Sequence, residues 1–141
     1  MRSVKEIMTS DPVVCTPETP LPTVARMMCE HDCGEIPIVN SKQLMEPVGV
    51  VTDRDIACRA VGQGRNALEL HAAEVMTKPA VTVTVDTTID QCIKTLELHK
   101  IRRVPVVDRR GRIVGIVAQA DIVRSSNDRK AAEVVREVSV H

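Results

Sequence analysis

The feature that most restricts this chain is that it contains itself twice. Ile7-Met8-Thr9 returns as Val75-Met76-Thr77, and Glu35-Ile36-Pro37-Ile38-Val39 returns as Arg103-Val104-Pro105-Val106-Val107. Val48-Gly49-Val50-Val51 returns as Val114-Gly115-Ile116-Val117, and Asp55-Ile56 as Asp121-Ile122. The offset is 68 residues up to the prolines and 66 beyond them, so the difference of two residues falls in the connection after Val39 or Val107. A duplicated fold absorbs an insertion in a surface turn of this kind.

Each copy reads as the same order of elements. A β-rich run follows Met-Thr: Pro12-Val13-Val14-Cys15 in the first copy and Ala80-Val81-Thr82-Val83 in the second. A helix comes next. Leu21, Val24, Ala25 and Met28 sit at helical spacing, and Ile89, Cys92, Ile93 and Leu96 repeat it. Pro20 and Pro22 suit a helix start, where a missing N–H costs little. Two strands follow, joined in the second copy through Asp108-Arg109-Arg110-Gly111, a turn sequence whose shortness demands an antiparallel pair. The runs Val48 to Val51 and Ile113 to Val117 lack alternation, which predicts strands buried on both faces. A second helix begins near Asp53 and near Gln119. The expected class is α+β: two β-α-β-β-α repeats, each too small to cover its own sheet, packed as a pseudo-two-fold pair. The divisions are 4–62 for the first repeat, 63–71 for a linker, 72–126 for the second repeat and 127–141 for a C-terminal helical extension. That extension carries an apolar stripe of Ala131, Val134, Val135 and Val138.

Composition narrows the function. Phe, Tyr and Trp are absent, so aliphatic side chains and Met pack the core and no ring is available to stack on a base. Lys and Arg number 19 and so do Asp and Glu. This balance argues against a nucleic-acid binder, which needs a basic excess to neutralise phosphates. Five cysteines, an odd number, with no secretory leader before them read as reduced thiols in a cytoplasmic protein. No apolar run is long enough for a membrane span.

The segment Gly49-Val50-Val51-Thr52-Asp53-Arg54-Asp55 is the richest in chemistry. A strand ends where a helix starts, and the free N–H groups and partial positive charge of the helix mouth attract anions. Thr52 and Asp55 are three residues apart and reach the same side of that mouth. The hydroxyl can bond a phosphate or a sugar, and the carboxylate can accept two bonds from a ribose diol. The same pair can also be a capping box and bind nothing.

Met-Thr, a β-rich run, an amphipathic helix, a Pro-Val-Val-Asp strand and Gly-h-h-Thr-x-x-Asp, all duplicated, resemble the CBS domain pair, or Bateman module, over roughly residues 4 to 124. The resemblance implies two clefts between the copies that hold AMP, ADP, ATP, NAD or S-adenosyl compounds, and modules that pair into a flat disc. By that resemblance Thr52, Asp55 and Asp121 take sugar or phosphate roles. The purine lies against backbone of the opposite copy: Pro79, Ala80 and Val81 with Ile101, Arg102 and Arg103 for the Thr52/Asp55 cleft, and Val13 and Val14 with Gly34 for the Asp121 cleft. Two positions depart from the pattern. Ala118 replaces the hydroxyl in the second copy, and Glu35 stands where a phosphate would be repelled. These departures make Thr52/Asp55 the expected principal site, with Arg102 and Arg103 supplying positive charge. A solvated basic edge is the plainer reading of those arginines.

No nucleophile–base pair or glycine-rich phosphate loop is visible, so no enzyme is expected. Cys29, His31 and Cys33 lack a fourth converging ligand, so no metal site is expected either. Cys15, Cys58 and Cys92 read as small core residues. The function implied is a regulatory module, needing no cofactor, that binds an adenine nucleotide as its ligand, forms a homodimer and signals to a separate protein. The alternative is a scaffold with degenerate, empty clefts.

Overall fold

The amphipathic segments fold as expected into α1 (Leu21–Glu30) and α3 (Ile89–His99) of a computed structural model that describes residues 2–127. The stripe from Ala131 to Val138 lies outside the described residues. Pro20 caps α1 and Pro22 falls in its first turn. Thr88 and Gln91 close α3 with a reciprocal capping box. Leu21, Val24 and Met28 of α1 and Cys92 and Leu96 of α3 are buried. Each Leu, Ile or Val buried in this way contributes about 1.5–3 kcal/mol.

In the first half, β2 (Glu35–Val39) and β3 (Pro47–Thr52) pair antiparallel, with Glu35 opposite Thr52 and Pro37 opposite Val50. In the second, β5 (Arg103–Val107) and β6 (Ile113–Ala118) repeat this with Arg103 opposite Ala118 and Pro105 opposite Ile116. The turn between them is built by Asp108, whose carboxylate accepts from the N–H groups of Arg110 and Arg112. Gly111 takes the left-handed conformation there at φ +83°. After β3 the chain enters α2 (Asp53–Asp55) and runs on as a π turn over Ile56–Ala60. After β6 it enters α4, helical over residues 119–127.

The repeats are not laid side by side as separate bodies. Thr9 and Ser10, forming β1 (Thr9–Ser10), pair antiparallel with Ile116 and Gly115 of the second half. Thr77 exchanges two backbone bonds with Val50 of the first, at 3.0 and 2.8 Å. Each Met-Thr segment therefore edges the sheet of the other half. Leu70, which the repeat arithmetic places in the linker, joins Ala72 and Val75 in the core of the first half beside Leu21, Val24, Ile36 and Ile38. Val4 joins the second core beside Cys92, Leu96, Val104 and Val117. The crossing strands come so near that a Cβ on Gly49 would lie 2.7 Å from the Thr77 carbonyl oxygen, and one on Gly115 3.0 Å from that of Thr9. Only glycine fits at either position.

Three local expectations are corrected. The β-rich runs pair only at their ends: Cys15 bridges Ile38, and β4 (Val83–Thr84) lies parallel to Val106 and Val107. The proline in the first run and the exposed backbone around Pro79 leave the earlier residues unpaired in the ladder. β3 and β6 are not buried on both faces. Gly49 and Val51, and Ile113, Gly115 and Val117, are buried while their neighbours are half-buried, because the second face turns towards the space between the halves. Cys58 is exposed on the π turn, whereas Cys15 and Cys92 are buried, and all five thiols are free. Among the described residues no helix is long and apolar enough to cross a membrane.

Candidate ligand-binding clefts

The repeat places a carboxylate at the mouth of α2 and another at the mouth of α4, and the structure treats them differently. At the first, the Asp55 N–H donates to Thr52 Oγ1 and the Thr52 N–H donates to Asp55 Oδ2, both at 3.0 Å. This is the capping box. The Thr77 hydroxyl, arriving from the crossing strand, bonds Asp55 Oδ1 at 3.0 Å and Oδ2 at 3.2 Å. Arg59 Nε stands 3.7 Å from Oδ1. Asp55 is buried at 7 % exposure with both oxygens engaged. Thr77 was not singled out from the sequence, although the repeated Met-Thr is its signature.

At the second mouth, Ala118 has no hydroxyl, so only half the cap forms. The Ala118 N–H donates to Asp121 Oδ2 at 2.8 Å. Among the described residues the other oxygen meets only Arg124 Nη1, at 3.4 Å on a well-exposed side chain. Asp121 keeps acceptor capacity that Asp55 has spent.

Asp121 also opens onto a cavity of about 370 Å³. Its walls come from both halves: Pro12, Val13, Ile36 and Pro37 from one, Ile116 and Ala118 from the other. The methyl of Ala118 makes this end of the cavity apolar. Glu35 and Arg103 line it too. They occupy equivalent positions, the first residues of β2 and β5, and bring opposite charges to the pseudo-two-fold. Glu35 is 8 % exposed and its Oε2 has no hydrogen-bond partner among the described residues. Burial pushes its carboxyl up to about 7, although Arg103 draws it down, and Asp55 adds to the rise.

The remaining expected residues divide. Gly34, Arg102 and Arg103 line a second, shallower cavity of about 640 Å³ with Asp53 and Ile56. Val14 is buried with Val39 and Ile113, and its carbonyl accepts from Lys42 Nζ at 3.0 Å. Ile101 and Val81 pack on the second core. Pro79 is exposed after a cis peptide bond and Ala80 is half-buried. Cys29 lines the second cavity and His31 the first. Among the described residues no three His, Cys, Asp or Glu side chains converge as metal ligands.

The CBS domain family model matches residues 4–61 and again 72–128. An uncharacterised protein of Methanopyrus kandleri is 36% identical over 122 residues, spanning 86% of this chain and 61% of its own length. The CBS domain-containing protein YhcV of Bacillus subtilis is 33% identical over 99% of this chain and 96% of its own. Among solved structures, the CBS domain pair of protein MJ0100 in complex with 5′-methylthioadenosine and S-adenosyl-L-methionine superposes with a TM-score of 0.81. It is 29% identical, over 92% of this chain and 98% of that one.

Proposed function

This chain belongs to the CBS domain family, with one domain matched in each half, and on that premise we propose that it is a regulatory module binding an adenosyl ligand in the Asp121 cleft. One observation carries the reading. A helix-mouth carboxylate, one oxygen of which is held only by the exposed Arg124 among the described residues, lines a cavity of about 370 Å³ whose walls come from both halves. That volume lies within the roughly 300–1,000 Å³ of small-molecule sites. Asp121 would accept from the ribose hydroxyls, and Val13, Ile36, Pro37, Ile116 and Ala118 would pack the purine without a ring to stack on. The complex of protein MJ0100 with adenosyl compounds supports the ligand class.

Such a ligand touches both halves at once. It adds free energy only to the arrangement that holds them together, and so shifts any equilibrium between two arrangements. In this reading the chain forms a homodimer in the cytoplasm and passes the change to a separate protein. The Thr52/Asp55 cleft ranks second, because a ligand there must displace Thr77 from Asp55. The capping box at that cleft is what favours the scaffold reading for that half.

Calorimetric titration with 5′-methylthioadenosine and AMP tests the proposal. Asp121→Asn should weaken binding by about 1.5–3 kcal/mol, the worth of charge-assisted hydrogen bonds. Asp55→Asn should leave that transition in place. Folded protein that binds neither compound at millimolar concentration, or an Asp121 variant that binds as the parent does, overturns the proposal.

A further inference from the structure

The two residues at the pseudo-two-fold are a mismatched pair, and their surroundings are lopsided. The cavity walls carry four carboxyl groups, on Asp11, Asp32, Glu35 and Asp121, against the single guanidinium of Arg103 and the imidazole of His31. Arg103 is divided between two cavities. Its Nη1 reaches the space above Gly34, the same space that Asp53 Oδ2 approaches from the other side. Glu35 has no such distraction. It is more than nine-tenths buried and lines the cavity, and among the described residues its Oε2, sealed from solvent, has no donor. A buried acceptor without a partner favours whatever brings a donor or a positive charge.

We infer that the Asp121 cleft selects by charge, taking adenosyl ligands whose 5′ carbon bears a thioether or a sulfonium over those bearing phosphate, with Glu35 as the discriminating residue. This deepens the adenosyl reading of the same cleft and rests on it. A phosphate dianion entering the cavity meets the Glu35 carboxylate among three further carboxyl groups, a charge that the one guanidinium of Arg103 only partly offsets, and like-charge contacts in a desolvated site are strongly discriminating. A thioether adds no charge. A sulfonium, or the amino group on the same ligand, brings positive charge to a cavity lined by more carboxyl groups than cations. Ala118 fits this assignment, since its methyl offers a phosphate no hydrogen-bond donor.

The test is the ratio of two affinities on the full chain. 5′-Methylthioadenosine, S-adenosylmethionine and AMP are titrated calorimetrically at about pH 8, above the range in which Glu35 titrates. AMP should bind at least about tenfold more weakly than 5′-methylthioadenosine. Glu35→Gln and Glu35→Ala should each shrink that ratio by about fivefold or more, and Arg103→Gln should widen it. The two Glu35 variants differ in packing, so one unfolded variant leaves the other, and the parent ratio stands without either. Equal affinity for AMP and 5′-methylthioadenosine in the parent, or a ratio that neither Glu35 variant moves, overturns the inference. Failure of folded protein to bind any of the three is a separate result, which removes the adenosyl reading itself.

Discussion

Replacing Glu35 with glutamine preserves the shape of the side chain and abolishes its titration. The carboxyl has an ordinary value of 4.5 and is raised to about 7 in the folded chain. A difference of about 2.5 pH units, at about 1.4 kcal/mol for each, makes the fully ionised group cost the folded state on the order of 3–4 kcal/mol. The direction follows from proton binding. The folded chain holds the Glu35 proton more tightly than the unfolded chain does. Below 4.5 both states carry it and there is no penalty. The penalty grows as pH rises through 4.5 towards 7, and is complete above 7. Arg103 on β5 and Asp55 on α2 act on Glu35 directly, and Asp121 on α4, Asp11 after β1, and His31 and Asp32 after α1 line the same cavity. Urea unfolding of parent and Glu35→Gln chains at a series of values between about pH 5 and 8 measures the gap directly. The variant should exceed the parent by less than about 1 kcal/mol near pH 5 and by about 3 kcal/mol at pH 8. A gap that is flat with pH, or a parent more stable than the variant at pH 8, would refute the argument that this carboxylate is buried unpaired.

Two further outcomes are expected from the crossing strands. Gly49→Ala would place a methyl 2.7 Å from the Thr77 carbonyl oxygen and 3.1 Å from Met76 Sδ, and should lower stability by about 1–3 kcal/mol in thermal or urea unfolding, as overpacked sites do. Thr77→Val would take from Asp55 the hydroxyl that bonds both of its oxygens. It should cost about 1–2 kcal/mol in the same assay, the penalty of a buried acceptor left short of a donor.

The residues whose structure depends only on near neighbours were legible before any coordinates. Helical spacing placed α1 and α3, the prolines marked the start of α1, the Asp108 turn joined β5 to β6, and the repeat put Asp55 and Asp121 at two helix mouths. These are consequences of backbone period and local hydrogen bonding, which a string of residue types carries in full. Which partner each strand edge would choose was not in the string. Thr9 pairs beyond its own repeat with Ile116, and Thr77 with Val50, because the unpaired edge of each sheet is nearest to the other half once both cores have formed. That crossing delivers the Thr77 hydroxyl to Asp55, whereas Asp121 Oδ1 is met by the exposed Arg124, which is why the Asp121 cleft is the one proposed first. The burial of Glu35 was hidden for the same reason. Its sequence neighbours show an acid beside a proline strand, and only the tertiary packing around the start of β2 removes water from it. Local order follows from the chain alone, whereas the charge, spare hydrogen-bonding capacity and enclosure of a site depend on which distant surfaces meet.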